Sequence, residues 1–150
     1  MKDQPIADSD HVARHCGAST APDGEIQATA FMLREGEEYL SVNWLEELRC
    51  QDRASEVREL QNLYARKMTR VGAGARIAIL NVGTLRTEVE SESPDSRLLR
   101  VLHKPIEPND PSQAPEDPSH AGIYDIPYDD REIAAELIAR VVLENHPARA

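Results

Sequence analysis

Between Arg76 and Val82 the chain reads Arg-Ile-Ala-Ile-Leu-Asn-Val, the one run that is apolar on both alternating faces. Ile77 and Ile79 fall on one side, and Ala78, Leu80 and Val82 on the other. Such a run predicts a central strand covered on both sides. From Ala54 to Val71 the period changes. Val57, Leu60, Leu63, Tyr64, Met68 and Val71 step by three or four, the spacing of one buried helical stripe. Asp52 is placed to cap that helix, and Gly72 to end it.

The remaining elements follow from the same two periods. Ile26 to Leu33 reads as a strand, and Tyr39 to Trp44 as another, with Leu40, Val42 and Trp44 alternating against Ser41 and Asn43. The loop around Gly36 would join them as a hairpin. Thr84 to Glu90 fits an edge strand through Leu85, Thr87 and Val89, with a short helix as the alternative. The polar turn Ser91 to Ser96 leads to a further strand, Arg97 to His103, with His103 on the face of Leu99 and Val101. Ile123 to Ile126 could add a short edge strand. In the last segment Asp129 with Glu132 has the spacing of a capping box, and Tyr128 with Ile133 that of a hydrophobic staple. Ile133, Ala134, Leu137, Ile138, Val141 and Val142 form its stripe, and Asn145 with Pro147 closes it.

Two stretches fit neither period. Residues 1–24 form a polar arm broken by Pro5, Gly17, Pro22 and Gly24, in which Asp8 to Cys16 could make two turns of helix. Residues 104–122 hold Pro105, Pro108, Pro111, Pro115 and Pro118, which forbid a helix or an inner strand and leave a long loop. The expected architecture is a single α+β domain over 1–150: a mainly antiparallel sheet, or a partly closed barrel, with two amphipathic helices packed on it.

Composition narrows the classes. At 150 residues the chain is long enough to bury a core without staples. Its net charge of −10 argues against nucleic acid as the main partner. A basic island made by Arg58, Arg66, Lys67, Arg70, Arg76 and Arg86 interrupts the acidic chain; it could face an acidic partner or the protein's own acidic flanks, while Arg66, Lys67 and Arg70 more simply complement a helix C-terminus. Cys16 and Cys50 fit neither a disulfide framework nor a zinc ribbon, and no stretch is apolar enough for a membrane span or signal segment. The expected compartment is the cytoplasm.

Chemistry concentrates on the histidines. If the proline loop folds back, His103 at a strand end and His120 at the loop exit could meet as acid and base, oriented by Asp10, Asp117 or Tyr124, with Arg100 or Lys104 holding an anion. A metal site is the second candidate, built from His11, His15 and Cys16 on the short N-terminal helix. Nucleophilic attack by Cys16 with His15 as base is a remote third, since adjacent residues rarely reach that geometry. The dinucleotide-binding, phosphate-loop and nucleophile-elbow patterns are absent, and no cofactor is expected. Leu40-Ser41-Val42, His103-Lys104-Pro105 and Ser119-His120-Ala121-Gly122-Ile123 resemble segments of small bacterial proteins of unassigned role, which adds nothing to the site assignments. The first functional expectation is a small accessory protein whose acidic surface and proline loop engage a protein partner. The second is a histidine-dependent enzyme acting on a nucleotide or phosphoester through His103 and His120.

Overall fold

The doubly apolar run forms the strand its pattern demands, Arg76–Asn81 (β3), with Ile77, Ala78, Ile79 and Leu80 all fully buried. The computed structural model describes residues 2–93 and 98–150. Around β3 the chain builds an α+β fold with His11–Cys16 (β1), Tyr39–Trp44 (β2), Arg53–Lys67 (α1), Val82–Glu92 (α2), Arg100–His103 (β4), His120–Tyr124 (β5), Arg131–Arg140 (α3) and Glu144–Pro147 (β6). The six strands lie in the order β4-β5-β2-β1-β3-β6, and every pairing between them is antiparallel. The sheet is open, so the barrel alternative falls. Its β4 edge is covered by the N-terminal arm: Ile6 N–H donates to Val101 and His103 N–H to Gln4, with Pro5 opposite Leu102.

Strand alternation divides the sheet into two unlike faces. One carries Val12, Leu40, Val42, Ala78, Leu80, Val101, Ala121 and Ile123, and it is roofed by Leu85 and Val89 of α2, Leu137 and Ile138 of α3, and Phe31. The other carries Ala13, Ile77 and Ile79 under Val57, Leu60, Leu63 and Tyr64 of α1. Each side chain fully buried there is worth roughly 1.5–3 kcal/mol. That apolar cover stops at β1. On β2 and β5 the α1 face presents Tyr39, Ser41, Asn43, His120 and Tyr124 instead.

Several elements differ from the sequence expectation. Asp8 to Cys16 is not helical, because His11 to Cys16 pairs residue for residue with β3 and a sheet partner on both sides outweighs a marginal two-turn helix. Ile26 to Leu33 is no strand, so the first hairpin is absent. Ala28–Phe31 is a single 3-10 turn that drives Ala30 and Phe31 into the core. Thr84 to Glu90 belongs to α2: Val82, Leu85 and Val89 are buried while Thr87 is exposed, which is the helical period and not the alternating one. Ile123 and Tyr124 end an inner strand that begins at His120, Asp125 and Ile126 lie beyond it, and Glu144–Pro147, expected to end a helix, pairs with β3 as an edge strand. The α-helices therefore number three among the described residues. Asp52 caps α1 by accepting from Ser55 N–H, but that helix ends at Met68 in extended backbone and does not use Gly72. The staple pair Tyr128 and Ile133 is exposed. Pro94 to Ser96 of the expected turn, and Arg97 at the start of the expected strand, lie outside the described residues.

Candidate active site around His120

β1 and β2 pair only at Val12 with Trp44 and Ala13 with Asn43, and beyond that point the two strands part. Arg14 fills the opening. Its Nη1 donates to the Ser41 carbonyl at 2.8 Å and its Nε to the Ala30 carbonyl at 2.7 Å, replacing the ladder bonds that the divergence removes. A cavity of about 170 Å³ lies here against the last turn of α1, walled by Arg14, His15, Ser41, Tyr64, Lys67 and His120. A second cavity of about 330 Å³ lies under the proline loop and shares His120 as a wall, with Tyr39, Lys104, Ile106, Asp110 and Ser112. His120 thus stands between two hollows.

Hydrogen bonding fixes the state of that ring. His120 Nδ1 lies 2.8 Å from the Lys104 carbonyl and Nε2 lies 3.1 Å from Ser41 Oγ. A carbonyl only accepts, so Nδ1 carries the proton; in the neutral ring Nε2 then accepts from the Ser41 hydroxyl. Burial lowers the pKa of His120 below the ordinary value of 6.5, and the nearby ammonium groups of Lys67 and Lys104 act in the same direction, outweighing the Lys104 carbonyl and the Asp117 charge. The ring is a neutral base at neutral pH. Tyr39 stands edge-on to it, with centroids 6.0 Å apart, and stacks on Tyr124 at 4.8 Å.

Behind the ring lies a buried polar network. The Asp117 carboxylate accepts from Asn43 Nδ2 at 2.9 Å, Lys67 Nζ at 2.7 Å and Ser119 Oγ at 2.9 Å, and Tyr64 OH donates to Asn43 Oδ1 at 3.4 Å. Burial pushes the Asp117 pKa up, but Lys67, Asn43 and Ser119 more than offset it and hold the carboxyl below its usual range. These bonds tie the loop exit to β2 and α1, which sets the position of His120 three residues on.

The expected catalytic pair does not assemble. His103 is in register with Ala121, so it shares the α2 and α3 face, whereas His120 is in register with Asn43 on the α1 face. His103 is buried, its Nε2 donates to the Pro118 carbonyl at 2.7 Å, and its ring meets Trp44 edge-on at 5.0 Å. Of the groups expected to orient the pair, Asp117 belongs to the network just described, Tyr124 lies under Tyr39, and Asp10 accepts from Trp44 Nε1. Arg100 and Lys104 are paired with Asp125 and Asp3, at 2.6 and 2.7 Å.

The expected metal set is also dispersed. On a strand, His11 and His15 are roughly 13 Å apart instead of one helical turn, and Cys16 points to the opposite face. His11 Nδ1 bonds Glu46 at 2.9 Å. Burial pushes the Cys16 thiol up to about 11, far from a thiolate ligand or nucleophile. Among the described residues no group of three or more His, Cys, Asp or Glu side chains is placed to hold a metal ion, and no helix is long and apolar enough to cross a membrane. His15 nevertheless reaches the smaller cavity, where its Nε2 is buried without a hydrogen-bond partner and its ring meets Tyr64 edge-on at 5.1 Å.

Ser41, Asn43, Arg14, Tyr64 and Lys67 were not among the expected site residues. The signal for two of them is the alternation in β2, where Ser41 and Asn43 oppose Leu40 and Val42 and read as a solvent face. Comparisons with protein-family models, with curated proteins and with solved structures give no match.

Proposed function

We propose that the protein is an enzyme whose reaction is run by His120 on a nucleotide or phosphoester. The observation that carries this reading is the ring itself: a neutral imidazole, held in one tautomer by the Lys104 carbonyl, with Nε2 directed at an exposed hydroxyl beside a cavity that also holds Arg14 and Lys67. A base with a depressed pKa, oriented by a third group, is what general acid-base catalysis near neutral pH requires. His103 has no part in it, and its place at the site passes to Ser41, Lys67 and Arg14. The test is turnover across a panel of nucleotides and nitrophenyl phosphoesters by wild type and His120→Gln. The expected result is a loss on the order of 10²–10⁴-fold in a variant that still melts cooperatively. Unchanged turnover in folded His120→Gln would sink the reading.

A second reading keeps the protein-partner role, and one observation favours it. The tip of the proline loop, Glu107 to Glu116, is largely exposed, while its two ends are pinned by the Ile106 and Asp117 backbone pairing. An exposed, conformationally restricted proline segment suits peptide-like docking. A variant lacking residues 107–116 should then lose a partner that the intact chain retains through gentle purification. Equal recovery of that partner by both forms would count against it.

A further inference from the structure

We infer that Ser41 is a nucleophile and that the substrate it attacks is a phosphodiester, which rests on the reading of His120 as the base. Three observations converge on this hydroxyl. Ser41 is exposed, the ring it bonds is buried, and both line the smaller cavity, so hydroxyl and base border the same space. Its backbone is rigid: the carbonyl accepts from Arg14 Nη1 at 2.8 Å, and the residue pairs with Gly122 in the middle of an inner strand. The cavity on its side has the Arg14 guanidinium, bonded only to neutral carbonyls, and no carboxylate in its walls, while the Lys67 ammonium there is already paired with Asp117, so the charge that attracts an anionic phosphorus centre is that of Arg14. His15, whose buried Nε2 has no hydrogen-bond partner, lines the same cavity.

The chemistry balances without any further reactant but water. Ser41 Oγ attacks phosphorus and its proton passes to His120 Nε2. The bond from phosphorus to one ester oxygen breaks, and the departing alcohol takes the proton from Nε2, leaving the remaining phosphoryl group esterified to Ser41. Water then gives a proton to Nε2 and attacks phosphorus. The Ser41 oxygen leaves with that proton, releasing a phosphomonoester. The Lys104 carbonyl keeps the second ring nitrogen protonated throughout, so only Nε2 exchanges protons.

A fluorophosphonate probe tests the nucleophile directly, read by intact mass and peptide mapping, with bis-(4-nitrophenyl) phosphate and 4-nitrophenyl acetate as turnover substrates. Wild type should gain one adduct, on Ser41. Ser41→Ala, a change at an exposed position, should gain none, and His120→Gln should label at least 100-fold more slowly. If His120→Gln does not fold, the labelling rate of wild type should still rise with pH and level off once the ring is fully neutral. No adduct on Ser41 in wild type, or labelling that survives Ser41→Ala, overturns the nucleophile. Diester turnover lost in His120→Gln but kept in Ser41→Ala overturns this inference and leaves the general-base reading standing. Adduct formation with acetate turnover, but none of the diester, overturns the choice of phosphorus.

Discussion

The ammonium of Lys67 lies 2.7 Å from the carboxylate of Asp117, where the last turn of α1 meets the exit of the proline loop. The two ends are unlike. Asp117 is almost wholly buried, with 1% of its side chain exposed, while Lys67 keeps 20%. Removing the lysine strands a charge that cannot reach water, whereas removing the aspartate frees an ammonium that can.

Lys67→Ala should therefore cost about 3 kcal/mol, as expected when a buried ion loses its partner. The double variant with Asp117→Ala should cost less than the sum of the singles, by about 1–3 kcal/mol, because there is then no carboxylate left to strand. Urea denaturation of the four proteins measures the cycle. Additivity within about 0.5 kcal/mol would mean that the pair is solvated.

Acid should destabilise the fold through its site histidines. Burial holds His120 and His15 below the ordinary value of 6.5. As pH falls through 6.5 the unfolded chain takes up protons that the native rings refuse, so the unfolded state gains and stability drops. The contribution is complete above pH 6.5 and disappears as pH falls toward the native pKa values. The thermal midpoint should be lower at pH 5.5 than at pH 7.5, and the gap should narrow in His120→Gln. An equal gap in both proteins would show that His120 is not held neutral by the fold.

Where the chain shows one clear period, its structure was legible. The stripe from Val57 to Tyr64 gives α1, and the doubly apolar run gives β3. Two causes hid the rest. Leu85 and Val89 satisfy both an alternating and a helical period, and only the burial of Val82 with exposure of Thr87 separates them. β1 is a histidine-bearing inner strand whose identity comes from its partners, not from its own residues. The site was half legible for a related reason. His120 stood out as a loop-exit histidine, but Ser41 lies 79 positions away along the chain and looks like one more polar residue on a half-exposed strand. The face of His103, shared with Val101, was legible from the alternation, but its separation from His120 was not, because the register that sets His103 opposite Ala121 and His120 opposite Asn43 is fixed by pairing across the sheet.

The junction of β3 and α2 has no loop, and Asn81 holds it. Its Oδ1 accepts from Thr84 N–H at 2.9 Å, while its Nδ2 donates to the Asp8 and Asp10 carbonyls at 3.0 and 3.2 Å. One side chain thus caps the helix and binds the N-terminal arm to it. Asn81→Ala should cost about 2 kcal/mol, the upper end for a lost cap, and Asn81→Ser less, since the serine hydroxyl keeps the cap and loses only the arm. Chemical denaturation ranks them, and equal losses would mean that the cap contributes nothing.

Gly122 is the position at which a single methyl group tests the packing over the site. A Cβ there would lie 2.5 Å from Tyr39 Cδ2 and 2.9 Å from Tyr124 Cε1, closer than carbon atoms approach. The Tyr39 ring lies across the glycine, stacked on Tyr124 and edge-on to His120, so it must swing away if the methyl is added. Gly122→Ala should cost about 1–3 kcal/mol. Truncating the ring removes the collision, so Gly122→Ala combined with Tyr39→Ala should be more stable than the sum of the single losses predicts, with a coupling of about 1 kcal/mol or more. Denaturation of the single and double variants measures it. If the two changes simply add, Tyr39 does not lie over Gly122 in solution, and the aromatic wall beside His120 is placed differently from the arrangement described above.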